Sequence, residues 1–179
     1  SRRIKNIQVD TLVIDDGSRD QTKSIAEKMP KVISHQLNRG LGASLATGFA
    51  YARLKDYDYV VTFDADGQHN PSDIPKLLSP LLKNRVDVVI GSRLKNAGQM
   101  PLVRRTINWL SNVFTWLLFT VWTTDSQSGL RAFSKNAIWQ LKIRSQRMEV
   151  SSEIFKEIKR LNLKFEEVPI TTIYTPYSL

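Results

Sequence analysis

Asp64 and Asp66, one residue apart in Asp64-Ala65-Asp66-Gly67-Gln68, are the first residues of this chain whose types and spacing suggest chemistry. Two carboxylates so placed, directly after an apolar run, present hard oxygen donors to a hard cation, and Mg2+ or Mn2+ held there binds phosphate oxygens in turn. The same pattern also serves as an acidic turn. Its company separates the two readings. Asp15-Asp16-Gly17-Ser18 closes another apolar run, and Asn38-Arg39-Gly40-Leu41-Gly42 offers backbone amides and a cation suited to a nucleotide. Each has an alternative as turn chemistry, but three such loops in this order share one site more economically than they arise separately. The chain has no cysteine and two histidines, so disulfides, zinc–thiolate centres and thiol nucleophiles are excluded. His69 follows the acidic loop as a ligand or a loop residue, and His35 is expected to be structural.

These loops need strands to deliver them. The apolar stretch within residues 8–14 predicts a strand ending at Asp15, with Ser18 or Asp20 capping a helix that runs to residue 29. A strand over 32–35, a helix over 43–54, a strand over 59–63, a helix over 71–82 and a strand over 86–90 follow. A helix near 151–161 and a strand over 166–174 close the chain. This alternation predicts an α/β fold, Rossmann-like, with a mostly parallel sheet flanked by helices. In such sheets the strand ends form the ligand crevice, so both acidic loops are expected to face one site. No repeat, low-complexity tract or linker divides residues 1–179, which are read as a single domain.

Composition bounds the partners. The 179 residues carry a formal charge of +9, which points to an anionic partner: nucleic acid, a lipid surface or a phosphorylated substrate. Nucleic acid is disfavoured, because the aromatics gather in residues 106–122 instead of alternating with basic residues on strands as a stacking platform requires. That stretch is short and polar for a membrane crossing, which needs about 20 apolar residues. It is expected either as a core helix or as an interfacial helix beside Arg104 and Arg105. The polar, basic first ten residues do not read as a signal peptide, so a cytoplasmic setting is expected.

Taken together, Val13-Ile14-Asp15-Asp16-Gly17-Ser18, Asn38-Arg39-Gly40-Leu41-Gly42-Ala43, Phe63-Asp64-Ala65-Asp66-Gly67-Gln68-His69, Gly91-Ser92-Arg93, Arg104-Arg105 and Asp125-Ser126-Gln127-Ser128-Gly129-Leu130-Arg131 resemble the family 2 glycosyltransferases of GT-A fold. Within them the resemblance is to polyprenyl-phosphate sugar transferases of the dolichyl-phosphate mannose synthase type. It covers nearly the whole chain, and Gln68 is its most diagnostic residue. It implies that Asp15, Asp16, Ser18, Asn38 and Gly40 serve the nucleotide, with Asp15 near the base and Asp64 near the ribose or diphosphate. Asp66 and Gln68, with Asp64 beside them, would hold Mg2+ or Mn2+. Arg93 and one of Arg104 or Arg105 would hold an acceptor phosphate, since a guanidinium fork matches phosphate oxygens. Arg131 belongs to the same acceptor half. Asp125 is a catalytic base, an acceptor-orienting group or a turn residue, and Glu149 faces the sugar or lies beside a helix cap at Ser151.

The implied activity is metal-dependent, inverting transfer of a hexose from a UDP- or GDP-sugar to a polyprenyl phosphate at the cytoplasmic face of a membrane. Two alternatives stand beside it: transfer to a glycan or other hydroxyl acceptor, with Asp125 as base, and a catalytically silent module that binds anionic lipid. Family members open with an apolar strand and a Pro-Ala-Tyr-Asn-Glu-like loop, which the residues from Ser1 lack, and they continue past Leu179. The chain is therefore expected to be part of a longer, peripheral or membrane-anchored protein.

Overall fold

A computed structural model describes residues 2–4, 7–93, 106, 109–110, 113 and 123–173. They fall into two compact units, Ser1–Lys55 with Lys142–Val150, and Asp56–Leu141 with Ser151–Leu179.

In the first unit, β1 (Arg2–Ile4) pairs antiparallel with β2 (Ile7–Val9), and β3 (Val13–Asp15) pairs parallel with β4 (Val32–Ser34). The strand expected over 8–14 is thus two strands. The break falls at Asp10, whose carboxylate takes Lys31 Nζ at 2.6 Å. The helix expected up to residue 29 is the short α1 (Thr22–Ala26), after which Lys28 and Met29 bond back three residues in tighter turns before Pro30. Ser18 does not cap it: its N–H donates to Asp15 Oδ1 at 3.2 Å, while Asp20 Oδ1 accepts from Thr22 N at 2.9 Å.

Helix α2 (Leu41–Leu54) starts at Gly40, whose φ of 94° is in the left-handed region that favours glycine. Its buried face is built of Gly42, Ala43, Phe49 and Ala52. The small residues let residues 145–147 pass against its first turn. A Cβ at Gly42 would overlap the Ser145 carbonyl oxygen, and Ala43 N donates to Gln146 O at 3.2 Å.

The second unit holds a four-stranded sheet of order β5 (Tyr59–Thr62), β7 (Arg131–Ser134), β6 (Val88–Ser92), β8 (Phe165–Pro169). The α/β class is as expected, and the sheet is mixed: β6 and β8 are parallel, while β7 runs antiparallel to β5 and β6. A 3-10 turn (Pro71–Asp73) leads into α3 (Ile74–Leu82); α4 (Lys135–Gln140) and α5 (Val150–Arg160) follow. Asn70 Oδ1 accepts from Ser72 N ahead of Pro71, and Ser134 Oγ accepts from Ala137 N, so the 3-10 turn and α4 each begin on a side-chain cap. Ser151 is buried in the first turn of α5, one residue past its start.

The core is laid down by strand and helix periods together. Val88, Val89, Ile90, Ala132 and Phe133 of the central strands, Leu77 and Leu81 of α3, and Ile154, Phe155 and Ile158 of α5 are all buried. Strand β6 starts two residues later than expected, because Asp87 leaves the apolar pattern to accept from Asn136 Nδ2 and Lys164 N. The strand then extends through Gly91 and Ser92, which sets Arg93 at its end.

Candidate functional site

Strand β5 ends at Thr62, and the chain leaves it into the acidic loop. Thr62 Oγ1 donates to Gly129 O at 2.7 Å, which brings residue 129 against the start of that loop. Gly129 has no side chain for a reason of space. A Cβ there would stand 2.6 Å from Asp64 Oδ1 and closer still to Oδ2, so the Asp64 carboxylate occupies the volume a side chain would need. His69 is buried, with Nε2 3.7 Å from Asp64 Oδ2, too long for a hydrogen bond. Its ring is still the chief influence holding the Asp64 carboxyl below the usual carboxylate range; burial opposes this, and the charges of Arg131 and Arg93 assist it.

Asp66 is exposed, and its Oδ1 accepts from Gln68 N at 2.9 Å across Gly67, whose φ is 76°. The far side of the loop is braced by residues 171–173. Ile173 N donates to Gln68 O at 2.9 Å, His69 pairs with Thr172, and the buried Asp73 accepts from Thr171 N at 2.7 Å and Lys76 Nζ at 2.5 Å. Asp64, Asp66 and Gln68 therefore offer oxygen donors from one short, braced loop, the donor chemistry that suits Mg2+ or Mn2+. Among the described residues no three His, Cys, Asp or Glu side chains form a metal cage. The set fits a cation that completes its coordination with ligand oxygens better than one enclosed by protein.

At the end of β6, Arg93 meets Asp125. The Asp125 carboxylate accepts from Arg93 Nε at 2.7 Å, Nη2 at 2.8 Å and the backbone N at 3.0 Å. Asp125 is 0% exposed, and the Arg93 side chain 19%. The aspartate thus orients the arginine fork; with both oxygens engaged and no solvent access, it is poorly placed to remove a substrate proton. Arg131, 3% exposed, donates from Nη2 to Ser126 O at 2.9 Å and sits 5.8 Å over the Phe155 ring, while its Nε has no hydrogen-bond partner. Burial pushes its pKa down to about 10, against the pull of Asp125 and Asp64, so it stays charged at neutral pH. Arg104 and Arg105 lie outside the described residues.

The first unit carries the other acidic loop. Asp15 is buried at the end of β3, with Oδ1 on Ser18 N and Oδ2 without a hydrogen-bond partner, and hydrogen bonding by Ser18 holds its carboxyl below the usual range. Asp16 is committed internally: Oδ1 meets His35 Nδ1 at 2.7 Å and Arg39 N at 3.0 Å, and Oδ2 accepts from Gly40 N at 2.6 Å. Burial works against ionisation there, yet the Arg39 amide and His35 outweigh it and keep the carboxyl low. The amides of Arg39, Gly40 and Ala43 are thereby used within the protein, and the glycines of that loop serve close packing, whereas the sequence suggested a donor set for a nucleotide. Asn38 is exposed.

Three features escaped the sequence reading: the fit of Gly129 around Asp64, the brace at 171–173, and Glu167. Only Glu167 left a trace, as one of two adjacent acids inside an otherwise apolar closing strand. Adjacent strand residues face opposite sides. Accordingly Glu166 pairs with Arg85, while Glu167 accepts from Thr123 and Thr124.

Residues 2–142 match the family described as "Glycosyl transferase family 2". The chain is 40% identical over 191 residues to a UDP-N-acetylglucosamine–dolichyl-phosphate N-acetylglucosaminyltransferase of Methanococcus voltae, covering 94% of this chain and 76% of that one. It is 30% identical over 176 residues to an undecaprenyl-phosphate mannosyltransferase of Micrococcus luteus, covering 92% of this chain and 72% of the other. Among solved structures, glucosyl-3-phosphoglycerate synthase of Mycobacterium tuberculosis in complex with Mn2+ and UDP-glucose superposes with a TM-score of 0.64 at 23% identity, over 92% of this chain. The chain spans 59% of that structure. The likeness bears out the GT-A fold expected from the sequence.

Proposed function

The chain belongs to glycosyl transferase family 2, and from that premise we propose that it moves a hexose from a UDP- or GDP-sugar to a polyprenyl phosphate at a membrane surface, with Mg2+ or Mn2+. The observation that carries this reading is the convergence of opposite charges in the second unit: the Asp64 carboxylate packs on Gly129, in the same segment 125–131 that holds Arg93 through Asp125 and supplies Arg131. A carboxylate loop fit for a cation, next to two held arginines, suits a reaction between two phosphate-bearing substrates. The relatives from Methanococcus voltae and Micrococcus luteus, named for dolichyl-phosphate and undecaprenyl-phosphate, support the acceptor, and the Mn2+ and UDP-glucose of the mycobacterial structure support the donor.

Asp66 and Gln68, with Asp64, would hold the cation, whose charge would offset that of the leaving diphosphate. Asp15 serves the base, and Asp16, Ser18, Asn38 and Gly40 shape the loop that carries it. Arg93, oriented by Asp125, aligns the acceptor phosphate, with Arg104 or Arg105 contributing, while the buried Arg131 adds positive charge behind them. A phosphate is already an anion at neutral pH, so positioning and charge stabilisation replace a general base. That agrees with an Asp125 whose oxygens are both taken by Arg93. Transfer is a single in-line displacement that inverts the anomeric carbon.

No described helix is long and apolar enough to cross a membrane. Trp109, 57% exposed, and Leu110 beside it support an interfacial helix, its other aromatics lying outside the described residues. The test uses the full-length protein, UDP- and GDP-sugars, Mn2+, and either polyprenyl phosphate or a glycan. Transfer to the phosphate in vesicles is expected. Transfer to the glycan alone would move the acceptor to a hydroxyl and restore the need for a base.

A further inference from the structure

Glu167 lies on β8 opposite Ile90 of β6 and turns its carboxylate to residues 123–124. Oε1 accepts from the Thr123 hydroxyl at 2.5 Å and the Thr124 amide at 2.7 Å, and Oε2 accepts from the Thr124 hydroxyl at 2.9 Å. The Thr124 hydroxyl also stands 2.7 Å from Ser92 Oγ. An ionised carboxylate only accepts, so the single Thr124 proton is directed to Glu167, and Ser92 must donate to Thr124. Thr123 likewise gives its proton to Glu167 and keeps a lone pair for Asp125 N, 3.3 Å away. One side chain therefore sets the direction of three hydroxyls, two of which, on Ser92 and Thr123, belong to fully buried residues. These hydroxyls flank both Arg93 and Asp125 in the chain.

We infer that Glu167 is a positioning residue for the acceptor: it fixes the turn at 123–125 and, through Asp125, the direction of the Arg93 guanidinium. The inference rests on the reading of Arg93 as a ligand of the acceptor phosphate. It gives a buried network a job beyond stability, because a turn that loosens lets the arginine fork swing, and a fork–phosphate contact depends on direction as well as distance. Glu166, next in sequence and paired with Arg85 on the opposite side, is the internal control.

The experiment measures separate KM values for nucleotide-sugar and polyprenyl phosphate, with thermal melting, in the full-length protein carrying Glu167→Ala, Glu167→Gln, Thr124→Val, Glu166→Ala or Arg93→Ala. Glu167→Ala should raise the acceptor KM about tenfold and leave the donor KM unchanged, the loss expected for about one charge-assisted hydrogen bond. Glu167→Gln keeps Oε1 for Thr123 and the Thr124 amide and should recover most of it, and Glu166→Ala should change neither constant. If Glu167→Ala does not fold, Thr124→Val carries the test, with a smaller rise confined to the acceptor. The inference is overturned if Arg93→Ala raises the acceptor KM while Glu167→Ala and Thr124→Val do not, or if both KM values rise together. An acceptor KM unmoved by Arg93→Ala would overturn the reading of Arg93 itself and the role of Glu167 with it.

Discussion

Gly129→Ala is a one-methyl test of the acidic loop. Gly129 is outside the left-handed region, so an alanine backbone is unstrained there. The new Cβ would meet all three carboxyl atoms of Asp64 below contact distance. Asp64 is the far end of a half-exposed side chain and can swing out, by roughly 1 Å or more; misplacement on that scale in a reacting array costs on the order of a hundredfold in rate. Stability should hardly move, because the displaced carboxylate reaches water, leaving a cost of about 1 kcal/mol. Initial rates of sugar transfer with saturating Mn2+, alongside melting curves, make the comparison in the full-length protein. The same substitution placed on Asp64→Ala should add almost nothing, since the two changes act through one contact. A Gly129→Ala enzyme within about twofold of the wild-type rate, far from the hundredfold loss expected, would refute the idea that the position of Asp64 matters.

Three further outcomes are expected. Asp66→Ala and Gln68→Ala should each abolish Mn2+-dependent donor binding in calorimetry with melting unchanged, because both sit in a loop rather than in the apolar body of β5. Arg131→Met should abolish transfer yet stay folded: its depressed pKa represents about 3 kcal/mol of unfavourable burial, which offsets a charge-assisted hydrogen bond of about 1.5–3 kcal/mol and a cation–π contact near 1 kcal/mol. Folded Arg131 sheds its proton from about pH 10 while the unfolded chain keeps it, so wild-type stability should gain on the Met variant above that pH in denaturant titrations. Gly42→Ala should cost about 2 kcal/mol or more in the same titrations, since its Cβ meets the Ser145 backbone, which cannot turn aside as a side chain can.

The features legible in the sequence were those written locally. The apolar runs before Asp15 and Asp64 marked strand ends, the small-residue stretch from Ala43 marked the body of α2, and the order of motifs carried the family. The partners of those residues were not legible, because they come from far along the chain: Asp125 for Arg93, Gly129 for Asp64, Gln146 for the start of α2. Propensity also misled where polar side chains overrode it. Asp10 split a strand, and Asp87 delayed one. The amides of Arg39 and Gly40 were read as ligand donors because a sequence cannot reveal that Asp16 already uses them.

The passage of residues 145–147 across the first turn of α2 has a consequence for biosynthesis. The first compact unit is written in two pieces, with residues 56–141 between them. As the chain leaves the ribosome, α2 is complete long before Gln146 exists to accept from Ala43. The N-terminal piece must wait, its small-residue helix face uncovered, while the whole intervening sheet-forming stretch is made. Closing so long a loop is slow, and an uncovered apolar face in the interval is a hazard for association with other chains. The glycines that admit the late segment therefore tie the completion of the first unit to residues made only after most of the second.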